Sequence, residues 1–279
     1  MLSSMLALVA HRRTGTNALL AERGAAIITP RTALRTLGPG DVALARLDVR
    51  PSLDGVETGL WSLRRLERQG VSVLNPADAL VAMHDKLETA LRLRAVNLPH
   101  PRTAFLPYGA SPSGIEVPVV IKPRFGSWGR HVHLCTTKRS LRRCLQQLRD
   151  ELWFREQGAI AQELIEPTGR DLRILVAGGE VVGAIERVAA EGEWRTNVAL
   201  GGIRRPAVPD RRTRSLALAA AAALGADLVG VDLLPRGRSH VVLELNGAVD
   251  FTPEYALDGN DVFARALSAL GARAIPQAA

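Results

Sequence analysis

Lysine is nearly missing from this chain, which carries three lysines against 33 arginines among its 279 residues. The three are Lys86, Lys122 and Lys138. A lysine is a compact, mobile point charge that reaches an anion through a narrow opening, where a planar guanidinium fits less easily. Each of the three lysines is therefore a candidate contact to a phosphate or another anion.

Cysteine and long apolar runs are scarce as well. Cys135 and Cys144 do not form a metal-binding spacing, and their positions in different predicted elements favour two small buried thiols. No apolar run approaches the roughly 20 residues that a bilayer-spanning helix needs. The N-terminal segment MLSSMLALVAHRR is a poor signal peptide, because its apolar stretch is short and its positive charges follow that stretch. We therefore expect a cytoplasmic protein without a membrane span.

Negative charge is outnumbered, and the formal net charge is +8. Such an excess suits nucleic acid, an acidic protein partner or an acidic small substrate. The arginines are spread along the chain, however, and no basic segment is interleaved with aromatic residues, which make up 4% of the chain. This pattern argues against nucleic acid and favours a solvated, arginine-rich surface.

What the chain does have is 47% hydrophobic residues, enough for a large core, and a length that suits about two domains. Its first 75 residues alternate short apolar runs with helical stretches, which predicts a small open α/β sheet. The predicted strands are 5–10, 25–29, 42–45 and 71–74, and the predicted helices are 16–23 and 53–69.

A longer helix follows, with Asn75 as its cap and Pro76 at its first position. Its apolar face would comprise Leu80, Met83, Leu87 and Leu91. Beyond a boundary at Pro99 and Pro101 we predict strands at 117–121, 132–134, 160–165, 171–176, 181–188, 228–234 and 240–246, and helices at 140–148, 210–225 and 261–270.

The last predicted hairpin carries three oxygen ligands, Asp232 on one strand and Glu244 and Asn246 on the other, across a turn at 235–239. Strand side chains alternate between faces, so a register that pairs even positions places all three together. Two carboxylates and a carboxamide suit Mg²⁺ or Mn²⁺. A buried ion pair with an arginine is the alternative, because both strands are otherwise apolar. The hairpin alone does not decide between them.

A glycine-containing loop, 123–130, lies between two predicted strands. It matches neither the phosphate-binding loop nor the dinucleotide fingerprint. Gly126 and Gly129 would let backbone amides approach an anion, and Lys122 ends the preceding strand. A plain hairpin loop is the alternative.

Arginines and acids alternate on the next pair of predicted strands. Asp171, Arg173, Glu186 and Arg187 lie there, and the sequence Arg195-Thr196-Asn197 follows. Arginines can clamp a carboxylate or a transferring phosphoryl group. Cross-strand ion pairing is the alternative, and no Ser-His-Asp or Cys-His arrangement stands out.

The order of these features resembles the ATP-grasp superfamily and, within it, the RimK-type α-L-glutamate ligases and the LysX-type ligases of lysine biosynthesis. The resemblance runs from about Asn75 to the C-terminus, and its most specific stretch is VVGAIERVAAEGEWRTNVALGG at 181–202. It implies an α/β (α+β) ATP-grasp fold. The N-terminal α/β domain would span 1–75 and the ATP-grasp domain 76–279, with a first lobe at 76–165 and a metal-binding lobe at 166–279.

The resemblance also implies ATP and two Mg²⁺ or Mn²⁺ ions as cofactors. The nucleotide would contact Lys86, Lys122, Gly126, Ser127, Gly129, Glu163, Leu164, Asp171, Arg195, Thr196 and Asn197. The catalytic residues at the reacting carboxylate and acyl phosphate would be Arg173, Arg187 and Asn197, and the metal ligands would be Asp232, Glu244 and Asn246.

The implied reaction phosphorylates a carboxylate with ATP, and an amine then attacks the acyl phosphate to give an amide, ADP and phosphate. Glutamate or another amino acid would be joined to an amine, or to an acidic carrier protein or peptide. An ATP-grasp kinase and a non-catalytic ATP-binding module are the alternatives, and a homo-oligomer is compatible with all three.

Two segments depart from the family pattern. The loop carries Ser127-Trp128 and Arg130-His131 where relatives have smaller residues, so Trp128 would cover either the substrate or a neighbouring strand. Residues 246–255 read Asn-Gly-Ala-Val-Asp-Phe-Thr-Pro-Glu-Tyr instead of Asn-x-x-Pro-Gly. This segment should border the acceptor pocket, so the resemblance does not by itself assign glutamate as the amino acid that this chain adds.

Overall fold

Four short parallel strands open the fold, in a computed structural model that describes residues 6–274. They are β1 (Leu6–Val9), β2 (Ala26–Ile28), β3 (Val42–Ala45) and β4 (Ser72–Leu74), in the order β2-β1-β3-β4, with helices α1 (Gly15–Ala21), α2 (Pro30–Thr36) and α3 (Leu60–Arg68) between them. Parallel neighbours need such crossovers, so this sheet confirms the predicted α/β pattern. Met5, included in the first predicted strand, lies outside the described residues.

The helix predicted for 53–69 was wrong in its first part. Leu53, Gly55 and Gly59 have positive φ angles of 59°, 151° and 126°, so the chain turns there and α3 begins only at Leu60. Leu53 and Val56 are buried inside this loop, which extended the apparent helical periodicity. Helix α2 was not predicted, although Thr29 caps it and Pro30 occupies its first position.

The helix predicted after Asn75 is two helices, α4 (Ala77–His84) and α5 (Lys86–Ala95). The predicted cap was wrong: Pro76 occupies that position, and Asn75, at φ 53°, instead accepts hydrogen bonds from the backbone of residues 227 and 228. Asp85 is extended and caps α5 by accepting from Leu87 N. The break turns Leu91 out to solvent, contrary to the predicted apolar face.

The second sheet is antiparallel, in the order β5-β8-β6-β7. Its elements are β5 (Thr103–Leu106), β6 (Val119–Pro123), β7 (His133–Cys135), α6 (Lys138–Leu148), α7 (Leu152–Gln157) and β8 (Ala159–Glu163). Helix α6 buries the leucines of its predicted amphipathic face. Cys135 and Cys144 are free and buried on separate elements, as predicted. The short elements β5 and α7 were not predicted.

The third sheet is antiparallel as well, in the order β11-β10-β9-β12-β13. Its elements are β9 (Arg170–Ala177), β10 (Glu180–Val188), β11 (Ile203–Pro206), α8 (Arg211–Leu224), β12 (Leu228–Arg236), β13 (Ser239–Asn246) and α9 (Val262–Ala274). Asp210 caps α8 and Gly225 ends it, as predicted. The predicted five-residue turn is wrong, because Arg236 pairs with Ser239 and leaves Gly237-Arg238 as the turn.

The first and third sheets share a buried core. Leu8 and Leu44 of the first sheet belong to the same apolar cluster as Leu175 of β9 and Phe263 of α9. The domain boundary after residue 75 and the lobe boundary after residue 165 stay predictions. Within residues 6–274, no helix combines the length and apolar character needed to cross a membrane.

Candidate active site

A cleft of about 970 Å³ lies between the second and third sheets, within the size range of small-molecule sites. Its walls come from β6 and the loop after it, the end of β8, and strands β9, β10, β12 and β13. Fourteen of the predicted site residues line it: Lys86, Lys122, Gly126, Ser127, Gly129, Glu163, Leu164, Asp171, Arg187, Arg195, Thr196, Asn197, Asp232 and Glu244.

A second cavity of about 1030 Å³ adjoins this cleft. Ser127, Trp128, Arg187, Asn197 and Glu244 line both spaces, so the cleft and the cavity are neighbours across a shared wall. The two remaining predicted residues, Arg173 and Asn246, border the second cavity instead of the cleft. Asp48 and His84 border it as well. The segment that differs from the family pattern contributes Ala248, Val249, Asp250 and Tyr255. Sequence reasoning missed Asp48 and His84, because no local motif connects them to the strands of the third sheet, which lie far along the chain.

Two of the three lysines converge on the cleft. Lys122 is 5% exposed, and its ammonium group makes no hydrogen bond to any residue in the described part of the chain. Burial lowers the pKa of Lys122 to about 8, against the opposing charge of Glu244. Lys86 Nζ donates to Gly126 O at 2.6 Å and lies 3.5 Å from Glu244 Oε2. The third lysine, Lys138, lies elsewhere and donates to Ile115 O.

The loop 123–130 needs glycine at one of its two glycine positions. Gly129 has φ 72°, and a methyl group on it would lie 2.9 Å from Asn197 Oδ1. At Gly126 the nearest atom to such a group would be Pro123 Cβ at 3.5 Å, an ordinary contact. Trp128 is 62% exposed and lines both the cleft and the second cavity.

Asp232 lies inside an arginine network. It is 1% exposed; its Oδ1 accepts from Arg173 Nε at 2.6 Å, and its Oδ2 accepts from Arg173 Nη2 at 2.7 Å and Arg187 Nη2 at 2.8 Å. Burial alone would raise the pKa of Asp232, but the charges of Arg173 and Arg187 hold it at about 2. The buried ion pair left open by the sequence is therefore present at this residue.

Asp171 completes the network. Its Oδ1 accepts from Arg187 Nε at 2.8 Å, and its Oδ2 accepts from Arg187 Nη2 at 2.5 Å and Thr196 Oγ1 at 2.6 Å. With Asp171 and Asp232 both bound to arginines, two negative charges balance two positive ones. Asp171 thus orients Arg187 and Thr196, and its own oxygens are committed to protein contacts.

The predicted even-to-even register is present at the site, whereas a register shift between Asp232 and Leu233 changes the pairing nearer the turn, where Leu233 pairs with Val242. Asp232 pairs with Glu244 and Gly230 with Asn246, so the three oxygen-bearing side chains share one face. Asp232 Oδ1 accepts a single hydrogen bond and keeps one lone pair, and within residues 6–274 Glu244 makes a single ion pair, the 3.5 Å contact with Lys86. The side-chain amide of Asn246 donates weakly from Nδ2 to Gly230 O at 3.5 Å, and its Oδ1 accepts no hydrogen bond within residues 6–274. This oxygen-only set fits one hard cation.

The donor set is nonetheless small. Among residues 6–274, no three or more His, Cys, Asp or Glu side chains are grouped so as to hold a metal ion. Glu163, at the far end of β8, is engaged elsewhere, since its carboxylate accepts from Arg102 N at 3.0 Å and Arg236 Nη2 at 3.2 Å. Any further ligands would have to come from a bound anion or water.

Residues 110–267 match the RimK-like ATP-grasp domain family. The chain is 34% identical over 226 residues to a probable α-L-glutamate ligase from an Enterobacter species, covering 78% of this chain and 73% of the relative. It is also 34% identical over 215 residues to a probable α-L-glutamate ligase from Xanthomonas axonopodis pv. citri, covering 74% of this chain and 70% of the relative.

Solved structures agree on the fold. D-alanine–D-alanine ligase from Bacillus anthracis complexed with ATP superposes with a TM-score of 0.70 at 15% identity, covering 98% of this chain and 97% of that one. A RimK domain ATP-grasp protein from Sphaerobacter thermophilus superposes with a TM-score of 0.65 at 21% identity, covering 97% and 98%. These likenesses establish the ATP-grasp fold.

Proposed function

This chain belongs to the RimK-like ATP-grasp family of C–N ligases, and we propose that it joins a carboxylate to a primary amine through an acyl phosphate. The observation that carries the proposal is the meeting of Lys86, Lys122 and Glu244 in one cleft. Lys122 is a buried cation whose ammonium group makes no hydrogen bond or ion pair within residues 6–274, which calls for an anionic ligand. Glu244, beside both lysines, supplies the oxygen that a divalent cation on that anion needs.

ATP is the anion that we assign to the cleft. Lys86 and Lys122 would contact its phosphates, and the loop at Gly129 would cover them. The adenine would lie at the far end of the cleft, along the backbone of Glu163 and Leu164. Arg195, Thr196 and Asn197 would line the phosphate region.

Glu244 and Asn246 would hold a Mg²⁺ or Mn²⁺ ion together with the remaining lone pair of Asp232 Oδ1. When bound, such an ion would neutralise negative charge on the phosphates that the carboxylate must approach. A second ion would need nucleotide oxygens to complete its shell, since the arginines occupy three acceptor positions of Asp232.

The reacting groups would meet where the cleft and the second cavity share a wall. Arg187 and Asn197 border both spaces, so a carboxylate in the second cavity can lie beside them and face the γ-phosphate. One carboxylate oxygen attacks the phosphorus and ADP leaves; the amine nitrogen then attacks the carbonyl carbon and phosphate leaves. The chain positions the reacting groups and supplies positive charge beside them, and Asp171 and Asp232 hold Arg187 in place through its hydrogen bonds.

Hydroxylamine trapping tests this function. Wild type, with ATP, Mg²⁺ and a panel of L-amino acids and short glutamyl peptides as carboxylates, should release ADP and form a hydroxamate. Glu244→Ala should lower both by about 100-fold or more, because charge stabilisation at the phosphates is lost. Glu180→Ala, an exposed position on the same sheet, should match wild type.

Two results would contradict the proposal. Unchanged ATP turnover in Glu244→Ala would mean that the site is wrong. A stable phosphorylated hydroxyl compound, formed without any hydroxamate, would identify an ATP-grasp kinase instead.

A further inference from the structure

Two polar side chains on the wall of the second cavity have no part in the nucleotide site. Asp48 follows β3, and His84 is the last residue of α4. Neither belongs to the residues that carry the family resemblance. Their chemistry, a carboxylate and an imidazole beside each other, differs from the arginine network on the opposite strands.

The hydrogen bond of His84 defines which ring nitrogen is basic. His84 is 6% exposed, and its Nε2 lies 2.9 Å from Leu47 O. A carbonyl oxygen only accepts, so Nε2 carries the hydrogen and Nδ1 keeps its lone pair. Nδ1 makes no hydrogen bond to any residue in the described part of the chain. Burial lowers the pKa of His84, against the opposing charge of Asp48, so the ring is neutral at pH 7.

The charges around His84 favour a cation near Nδ1. Asp48, Lys86 and Glu244 are the charged groups whose fields act on the ring, and Lys86 already contacts Glu244. Asp48 Oδ1 accepts from Val49 N at 2.7 Å, and its Oδ2 has no hydrogen bond or ion pair within residues 6–274. Asp48 and His84 therefore line the same cavity, and each has an acceptor atom without a hydrogen bond within residues 6–274, which suits an alkylammonium group.

We propose that Asp48 and His84 form the amine subsite of the ligase, in which Asp48 binds the incoming primary ammonium group and His84 Nδ1 removes its proton. This inference rests on the proposed function. An ammonium nitrogen has no lone pair and cannot attack an acyl phosphate until one proton leaves.

One proton moves from R–NH₃⁺ to His84 Nδ1, and the amine nitrogen forms the C–N bond. The carbon–oxygen bond to the phosphate breaks, and the departing phosphate takes the second proton from nitrogen. The products are the amide and HPO₄²⁻, and His84 returns its proton to solvent.

His84→Gln separates this role from carboxylate activation. The glutamine amide N–H can still donate to Leu47 O, but the variant has no basic nitrogen. Hydroxylamine is uncharged at neutral pH and needs no base. With the carboxylate that gives most hydroxamate in wild type, the variant should form hydroxamate at the wild-type rate. Amide formation from L-amino acids at pH 7 should fall by about 100-fold.

Alkaline pH should restore much of the lost activity, since the fraction of free amine grows about tenfold per pH unit below the amine pKa. Asp48→Asn should raise the KM for the amine by about tenfold with hydroxamate formation unchanged. Two matched controls should behave as wild type. His240→Gln changes a histidine that lines neither the cleft nor the second cavity, and Asp54→Asn changes an aspartate in the same loop as Asp48.

The outcomes are distinguishable. Absence of hydroxamate in wild type overturns the proposed function and this inference together. Normal hydroxamate and normal amide formation in His84→Gln at pH 7 overturns the amine subsite alone. Nitrogen-15 NMR of the free protein gives a test without substrate: a proton on Nδ1 of His84 would also overturn it.

Discussion

At the scale of single residues, Lys122 shows how burial prepares a site for an anion. Its ammonium group lies within the cleft and donates no hydrogen bond to residues 6–274, and desolvation lowers its pKa to about 8. A bound triphosphate would favour the charged form and raise that pKa. Binding of ATP and protonation of Lys122 are then linked.

This linkage predicts proton uptake on ATP binding. At pH 8 about half of Lys122 is neutral in the free protein, so ATP binding should take up about half a proton, and affinity should fall as pH rises above 8. Below pH 7 the lysine is already charged and the effect should vanish. Isothermal titration calorimetry in buffers of different ionisation enthalpy measures the uptake.

Arginine variants of two lysines control this experiment. Lys122→Arg should abolish the uptake, because a guanidinium stays charged at pH 8. Lys138→Arg, at the exposed lysine bonded to Ile115 O, should leave it as in wild type. Equal uptake in all three proteins would show that another group is responsible.

Residue types and the pairing of Asp232 with Glu244 could be predicted from the sequence, but the register shift beside that pair and the arginine partners of Asp232 could not. The scarcity of lysine pointed to Lys86 and Lys122, and alternation on strands placed Glu244 beside Asp232. The arginines reach Asp232 because β9 lies between β10 and β12, which makes Arg173 its direct cross-strand neighbour. Strand order in a sheet depends on the whole chain, and no local spacing encodes it.

At the scale of secondary-structure elements, the tight β9–β10 turn depends on its contact with α9. Gly178 has φ 56°, and a methyl group there would lie 2.2 Å from Ala269 O. Gly179 has φ 85°, but the nearest atom to its methyl group would be Arg273 Nη1 at 3.7 Å. The positive φ angle disfavours a side chain at both positions, but only a side chain at Gly178 would also collide with the backbone of α9.

Gly178→Ala should therefore destabilise the protein more than Gly179→Ala. We expect Gly179→Ala to lower the free energy of unfolding by about 1 kcal/mol through backbone strain, and Gly178→Ala by about 3 kcal/mol because α9 must also shift. Urea unfolding followed by circular dichroism measures both. Equal losses would mean that the turn does not press on α9.

Elements with strong local signals were predicted best. Helix α8 has an aspartate cap and a glycine end, and α6 has a clear apolar face, so both were predicted nearly in full. The sequence failed where tertiary contacts override periodicity. Leu53 is buried in a loop, and Asp85 breaks a helix where its backbone pairs with Phe125.

At the scale of the whole molecule, the second cavity joins segments that are far apart in sequence. Asp48 and His84 come from the first 84 residues, whereas Arg173, Asn246 and Tyr255 come from the third sheet and the segment after it. Arg46 helps to hold these parts together by donating to Val249 O at 2.7 Å. The family resemblance predicted the cleft, but this cavity required the structure.

Transfer of ¹⁸O from a labelled carboxylate tests the central claim most directly. If the cleft activates a carboxylate as an acyl phosphate, wild type should place one ¹⁸O in the released phosphate and keep the other in the amide, and Glu244→Ala should lose both products. Amide formation with unlabelled phosphate, measured by mass spectrometry, would contradict the account.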